Sequence, residues 1–274
     1  MPQRHTKAPQ LSRRDMLALL AVAGGASALA TCGGLAGWAL LSSQRAAQAA
    51  IPTIAPSPVP TATPSPTPVP PPIVPRSAWG AEPPNHEAAN EFGYYTEDNR
   101  GGWRDYGAAY PDIYRTIVVH HSVIYTGGDI STVYNVQKLH MGDRAWADIG
   151  YHFLIGRRGD IYEGRDLHVR GTHVAGYNTG SVGVCVLGNT TEMGLEEAQW
   201  QALGACCRWL MQILPVTHLA GHREFNPQTE CPGVVMWNAL DQLAQALGLL
   251  RGVGGYEEPV AAAQDATCDC CHLL

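Results

Sequence analysis

Short apolar runs and stretches of helical spacing alternate along the chain from Thr116 onward. Thr116 to His121 is β-branched and apolar until it closes on two histidines, which predicts a strand. Asp129 to Met141 places Ile130, Val133, Tyr134 and Leu139 near helical spacing, with Ser131 or Asp129 as N-cap. Tyr151 to Ile155 and Asp160 to Tyr162 read as a hairpin that turns through Arg157-Arg158-Gly159-Asp160. Val182 to Leu187 is unbroken apolar sequence, as in a strand buried on both faces. Leu195 to Leu214 predicts a long helix whose apolar face carries Leu203, Cys206, Leu210 and Ile213, with Cys207 pointing away. His218 to Gly221 is a short strand and Met236 to Leu249 a last helix. Strands alternating with helices around one hairpin predict an α/β fold, a central mixed β-sheet flanked by helices.

The N-terminal third has a different pattern. Ser12-Arg13-Arg14-Asp15-Met16-Leu17 opens a run of 26 uncharged residues, Met16 to Leu41. Paired arginines before such a run resemble a twin-arginine export signal. The run also exceeds the roughly 20 residues that a helix needs to cross a bilayer. Residues 1–50 are therefore expected to be a signal or a membrane anchor. The basic residues Arg4, Lys7, Arg13 and Arg14 would stay in the cytoplasm and the remainder would lie outside. Residues 51–72 read as a Pro/Thr/Ser-rich linker: between 51 and 75 there is no charge and 11 of the 20 prolines. Residues 73–250 make the globular domain, and 251–274 a loose tail containing Cys268, Cys270 and Cys271.

Charge narrows the function classes. Beyond residue 75 the chain carries 13 Lys/Arg against 23 Asp/Glu, a formal charge of −10. A protein held to nucleic acid by neutralising phosphates is excluded on that balance. The expected contact with a membrane is through the N-terminal segment alone, and the protein is expected to be a monomer. Export permits disulfides, but Cys185 on a strand and Cys206 on an apolar helix face are expected as buried free thiols.

The candidate chemistry sits at strand ends. His120 and His121 close one strand, His222 closes another, and Cys231 follows nine positions on. Two imidazoles and a thiolate suit zinc, and three protein ligands leave a fourth position for water, the mark of a catalytic site. Such a site makes hydroxide available near neutral pH. On spacing alone, a core cysteine with surface histidines remains open.

Longer motifs narrow the choice. Ile73-Val74-Pro75-Arg76-Ser77-Ala78-Trp79-Gly80, His120-His121-Ser122, Trp146 to Gly156, Tyr162-Glu163-Gly164-Arg165, Gly171 to Asn178, Ser181 to Asn189, Gly221-His222-Arg223 and Thr229 to Gly233 occur in one order. Together they resemble the peptidoglycan-recognition and N-acetylmuramoyl-L-alanine amidase family over about residues 73–248, in register throughout. That resemblance implies zinc held by His120 (rather than His121), His222 and Cys231. It implies catalytic roles for Tyr151 and Thr229, and contact with a glycan–peptide through His173 and Asn178. The implied reaction is hydrolysis of the amide between N-acetylmuramic acid and L-alanine in peptidoglycan or muropeptides. The rival readings are a peptidoglycan-binding module without activity, whose members usually carry Ser in place of the cysteine, and a cysteine hydrolase with Cys231 as nucleophile. Glu224 is expected to cap a helix or bridge a cation, and Arg223 to brace a loop through a carboxylate. The segment from Pro83 to Tyr114 is longer than the family's usual connection and is expected to shape the cleft or cover a sheet edge.

Overall fold

A computed structural model describes residues 68–255. The export or anchor segment, residues 51–67 of the Pro-rich linker and residues 256–274 of the Cys-rich tail lie outside the described residues; the start of the expected loose tail, Arg251 to Gly255, is ordered as the end of a short strand and a 3-10 turn. Among the described residues, no helix is long and apolar enough to cross a membrane.

Seven strands form one sheet in the order β1-β4-β3-β5-β2-β6-β7. They are β1 (Ile73–Val74), β2 (Thr116–His121), β3 (Phe153–Ile155), β4 (Ile161–Glu163), β5 (Ser181–Val186), β6 (His218–Gly221) and β7 (Leu250–Arg251). Only the β3–β4 hairpin is antiparallel, so the sheet is mixed. The helices are α1 (Arg76–Trp79), α2 (Tyr110–Ile113), α3 (Asp129–Gly142), α4 (Glu197–Ile213), α5 (His222–Phe225) and α6 (Val234–Leu247). The predicted strands and long helices are present with ends shifted by a residue or two. The two-residue edge strands β1 and β7 are too short to leave a periodic signal.

The central strands β2 and β5 are buried at every position, and their register sets two unlike faces. On one face Ile117 and Val119 align with Val182 and Val184 and pack on Leu203, Cys206 and Leu210 of α4 and on Met236 and Leu240 of α6. That face is apolar core as far as His121 at the end of β2, and it anchors the sheet by burial. On the other face Thr116, Val118 and His120 align with Ser181, Gly183 and Cys185. Polar and small side chains there leave room for a site, and α3 packs over only part of it through Val133 and Val136.

Three expectations are corrected. Cys207 is fully buried in the core instead of pointing away. Positions 203, 206, 207 and 210 form one stripe at i, i+3, i+4 and i+7, wide enough to take both cysteines. The buried stripe of α3 is Asp129, Thr132, Val133, Val136, Gln137 and His140, whereas Ile130 is 47% exposed. Its polar members are matched by partners: Gln137 Nε2 donates to Asp148 Oδ1 at 2.7 Å, and the Gly150 amide donates to His140 Nδ1 at 3.0 Å. Neither Asp129 nor Ser131 caps α3; Gly128 holds the N-cap position. Asp129 instead accepts the Arg157 and Arg158 amides and the Tyr125 hydroxyl, which closes the hairpin turn onto the helix.

The Pro83–Tyr114 segment docks on the connections that lead into and out of the hairpin. Asn85 and Asn90 donate their amides to the carbonyls of Ala147 and Ala145, and the Arg170 amide donates to Arg104. At its heart Glu91 accepts Arg165 through both guanidinium nitrogens and also accepts the Ala147 amide. Arg165 is 1% exposed and Glu91 2%. The guanidinium also donates to the carbonyls of Asp148, Ile149 and Arg170, and it lies 4.7 Å from the centre of the Trp103 ring. Removing one partner of a buried pair strands the other charge. Glu91→Ala is therefore expected to cost about 3–5 kcal/mol of unfolding free energy in a denaturant titration. The double variant with Arg165→Met should cost less than the two single changes added together. A loss below about 1 kcal/mol, the scale of an exposed pair, would show that the pair does not hold the segment.

Candidate metal centre

A strand end, a helix start and a loop converge on the open face of the sheet. His120 is carried to the C-terminal end of β2 and points to the face that it shares with Cys185. His222 opens α5 immediately after β6. Cys231 returns to the same point through a turn at Asn226-Pro227, where the Asn226 side chain accepts the Gln228 amide and its carbonyl accepts the Thr229 amide. The Arg223 amide donates to the Cys231 carbonyl at 2.9 Å, so the two ends of this loop are tied beside both candidate ligands. One donor atom each of His120, His222 and Cys231 lies within 4.8 Å of the others, and all three residues are buried. His121 points to the opposite face, where its Nδ1 accepts the Thr190 amide at 3.2 Å. The structure thus brings together His120 and not His121 with the other two.

The histidines of this group are held in their neutral form. Burial pushes His222 down to about 4. Burial, followed by the charges of neighbouring imidazoles, holds His120 well below the usual histidine range. Both rings are neutral near pH 7 and keep a lone pair for a metal. Cys231 Sγ lies 3.5 Å from His120 Nδ1. Two neutral imidazoles and one sulfur, all buried and convergent, fit zinc as a donor set.

Around this group, Tyr151 is half-buried, its ring 5.0 Å from that of His120 and 5.2 Å from that of His140. Thr229 Oγ1 accepts the Cys231 amide at 3.1 Å. His173 lies beneath His120, and Asn178 is 6% exposed with its Oδ1 accepting the His173 and Val174 amides at 2.7 and 2.8 Å. Glu224 both accepts the Gly221 amide and pairs with Arg251, as expected of it. Arg223 braces its loop through the Glu230 carbonyl and lies over Trp237, not through a carboxylate.

Sequence reasoning missed Cys185 as part of this floor. Burial, followed by the nearby Cys231, pushes its thiol well above the ordinary range, while a Tyr151 hydrogen bond acts in the opposite sense. All four cysteines among the described residues are buried.

A sequence profile for N-acetylmuramoyl-L-alanine amidases matches residues 110–234. Peptidoglycan-recognition protein SC2 of Drosophila melanogaster is 38% identical over 134 residues, spanning 45% of this chain and 70% of that protein. The chain belongs to the peptidoglycan-recognition and N-acetylmuramoyl-L-alanine amidase family. A second member, an N-acetylmuramoyl-L-alanine amidase of Mus musculus, is 37% identical over 110 residues, 39% of this chain and 21% of that protein. Among solved structures, the amidase LysC from Clostridium intestinale URNW is 32% identical and covers 50% of this chain and 86% of its own, with a TM-score of 0.46.

The buried histidines set a pH dependence in this family member. Burial lowers His140 to about 3 and His152 to about 4. In the unfolded chain each returns to about 6.5. Between those values the unfolded state binds more protons, so stability rises with pH there. It is fully present above about pH 6.5 and is lost as pH falls toward 4. The denaturation midpoint of metal-free protein should fall steadily between pH 7 and pH 5. A midpoint constant across that interval would contradict the neutral assignment of these rings.

Proposed function

We propose that this chain is a zinc-dependent N-acetylmuramoyl-L-alanine amidase. Its substrate is the amide between the lactyl group of N-acetylmuramic acid and L-alanine, and water splits that bond into a carboxylate and a free amine. The observation that carries the proposal is the convergence of Cys231 with His120 and His222. A module that only binds peptidoglycan has no need of a third, sulfur donor at that point.

His120, His222 and Cys231 hold the metal in this proposal. Zinc, when bound, supplies a Lewis acid for the scissile carbonyl and activates water at neutral pH. The remaining work falls to the chain's own groups. The Tyr151 hydroxyl, on a ring tilted against that of His120 at 5.0 Å, donates to the carbonyl oxygen as negative charge develops there. Thr229, whose oxygen is fixed by the Cys231 amide, offers the second O–H. A phenol and an alcohol are suited to donation at neutral pH, because neither ionises readily there. Charge that develops only in the transition state is where such donors act most strongly.

The proposed catalytic domain is residues 73–250, which encloses the profile match at 110–234. The proposal places it outside the cytoplasmic membrane. Arg13-Arg14 and the uncharged run after them support export, and the Pro-rich stretch supports a spacer between membrane and wall.

The test uses the full chain with a defined muropeptide and mass detection of the released peptide. Hydrolysis should stop with a chelator and return with zinc. Cys231→Ser should lose hydrolysis and most bound zinc while keeping its circular dichroism spectrum. Tyr151→Phe should bind zinc as the wild type does yet turn over roughly 10²–10³ times more slowly, the usual loss for one such donor. Binding of the muropeptide without any cleavage would favour the non-catalytic module. Cleavage that survives complete metal removal would favour Cys231 as nucleophile and overturn the zinc proposal.

A further inference from the structure

His173 lies in a row of imidazoles whose hydrogens can be assigned from fixed acceptors. Its Nε2 lies 3.4 Å from the Ser181 carbonyl oxygen. A carbonyl only accepts, so this nitrogen carries the hydrogen. A neutral imidazole has one N–H, which leaves His173 Nδ1 as an acceptor. That atom lies 3.0 Å from His120 Nε2. His120 Nε2 is then the donor, and His120 Nδ1 is the nitrogen with an open lone pair. It is His120 Nδ1 that faces Cys231 Sγ.

The fold gives the His173 ring one place to lie. A Cβ on Gly183 would meet its Cγ and Cδ2 at 2.7 Å, and a Cβ on Gly171 would meet its Cδ2 at 2.6 Å. Gly183 stands in the middle of β5, paired with Val118, where a glycine otherwise weakens a strand. Its absent side chain is the space that the imidazole fills. The Asn178 oxygen holds the His173 amide from the other side. Nothing in this arrangement turns the His173 ring nitrogens toward a substrate: one meets Ser181 and the other meets His120.

We propose that His173 is a positioning residue for the metal ligand His120, taking its Nε2 hydrogen and so presenting Nδ1, rather than Nε2, to the metal. This deepens the zinc proposal and depends on it. It also assigns His173 a task different from contact with the glycan–peptide. Partners of this kind orient a ligand and raise its basicity, and losing one commonly costs 10–100-fold in metal affinity.

The experiment measures zinc affinity of the full chain by competition with a chromophoric chelator, together with muropeptide binding by the metal-free protein. His173→Phe keeps a flat ring but has no acceptor, and should weaken zinc by about 10–100-fold with muropeptide affinity unchanged. His173→Gln, whose amide oxygen can accept the same hydrogen, should recover part of the loss. Unchanged zinc affinity with lost muropeptide affinity would overturn the proposal and return His173 to substrate contact. Failure of the wild type to bind zinc would instead defeat the proposed function itself. A readout that needs no variant guards against misfolding: ¹⁵N chemical shifts of the histidine rings in the metal-free chain. His120 should show a protonated Nε2 and an unprotonated Nδ1. The opposite tautomer would overturn the proposal.

Discussion

A buried neutral imidazole costs least when each ring nitrogen meets a partner of the right kind. Several histidines share one face of the central sheet, and much of the local structure satisfies that condition. His152 shows it plainly: its Nδ1 accepts the Gly183 amide at 2.9 Å, and its Nε2 donates to the Val169 carbonyl at 3.1 Å. His140 accepts the Gly150 amide, and His173 spans Ser181 and His120. The backbone around β3 and β5 is thereby tied to side chains and not only to neighbouring strands. Its consequence at the end of the row is a pair of neutral rings and a sulfur with converging donor atoms.

The opposite face of the sheet makes this arrangement affordable. Valine and isoleucine from β2 and β5 pack on α4 and α6, and the buried Gln199 of α4 is matched by the Ile155 and Leu187 carbonyls, so burial there offsets the weaker packing above the site. The Pro83–Tyr114 segment then fixes the connections that the core does not reach. Glu91 and Arg165 gather the carbonyls and amides of residues 147–149 and the carbonyl of Arg170 into one buried network. Tyr151 and His173 emerge within three residues of those anchor points. The backbone that leads to the site is therefore held by a charged pair outside it, an arrangement that puts functional side chains on supported backbone.

Much of the fold was legible because its strands are unbroken apolar runs and α4 and α6 carry clear apolar stripes. The stripe of α3 was not, since Asp129, Thr132, Gln137 and His140 are buried for their hydrogen bonds and hydropathy does not mark such positions. The buried arc of α4 is broader than one row of side chains, so it takes Cys207 as well as Cys206 and no single-row spacing marks it. The candidate ligands could be picked out through the motifs around them; spacing alone left His120 and His121 equivalent until the pleat of β2 separated their faces. His173 under His120 had no local signature, being 53 residues away in sequence. The one available signal was Gly183, a glycine inside a buried strand, which marks close approach by another group. Glu91 and Arg165, 74 residues apart, offered none.

The central claim is that His120, His222 and Cys231 form one zinc site. X-ray absorption at the zinc edge on the purified full chain tests it most directly. The account predicts one zinc per chain with two nitrogen scatterers at about 2.0–2.1 Å and one sulfur at about 2.3 Å. It also predicts that the sulfur contribution vanishes in Cys231→Ser. A zinc shell without sulfur in the wild type, or a sulfur shell that persists in Cys231→Ser, would contradict it.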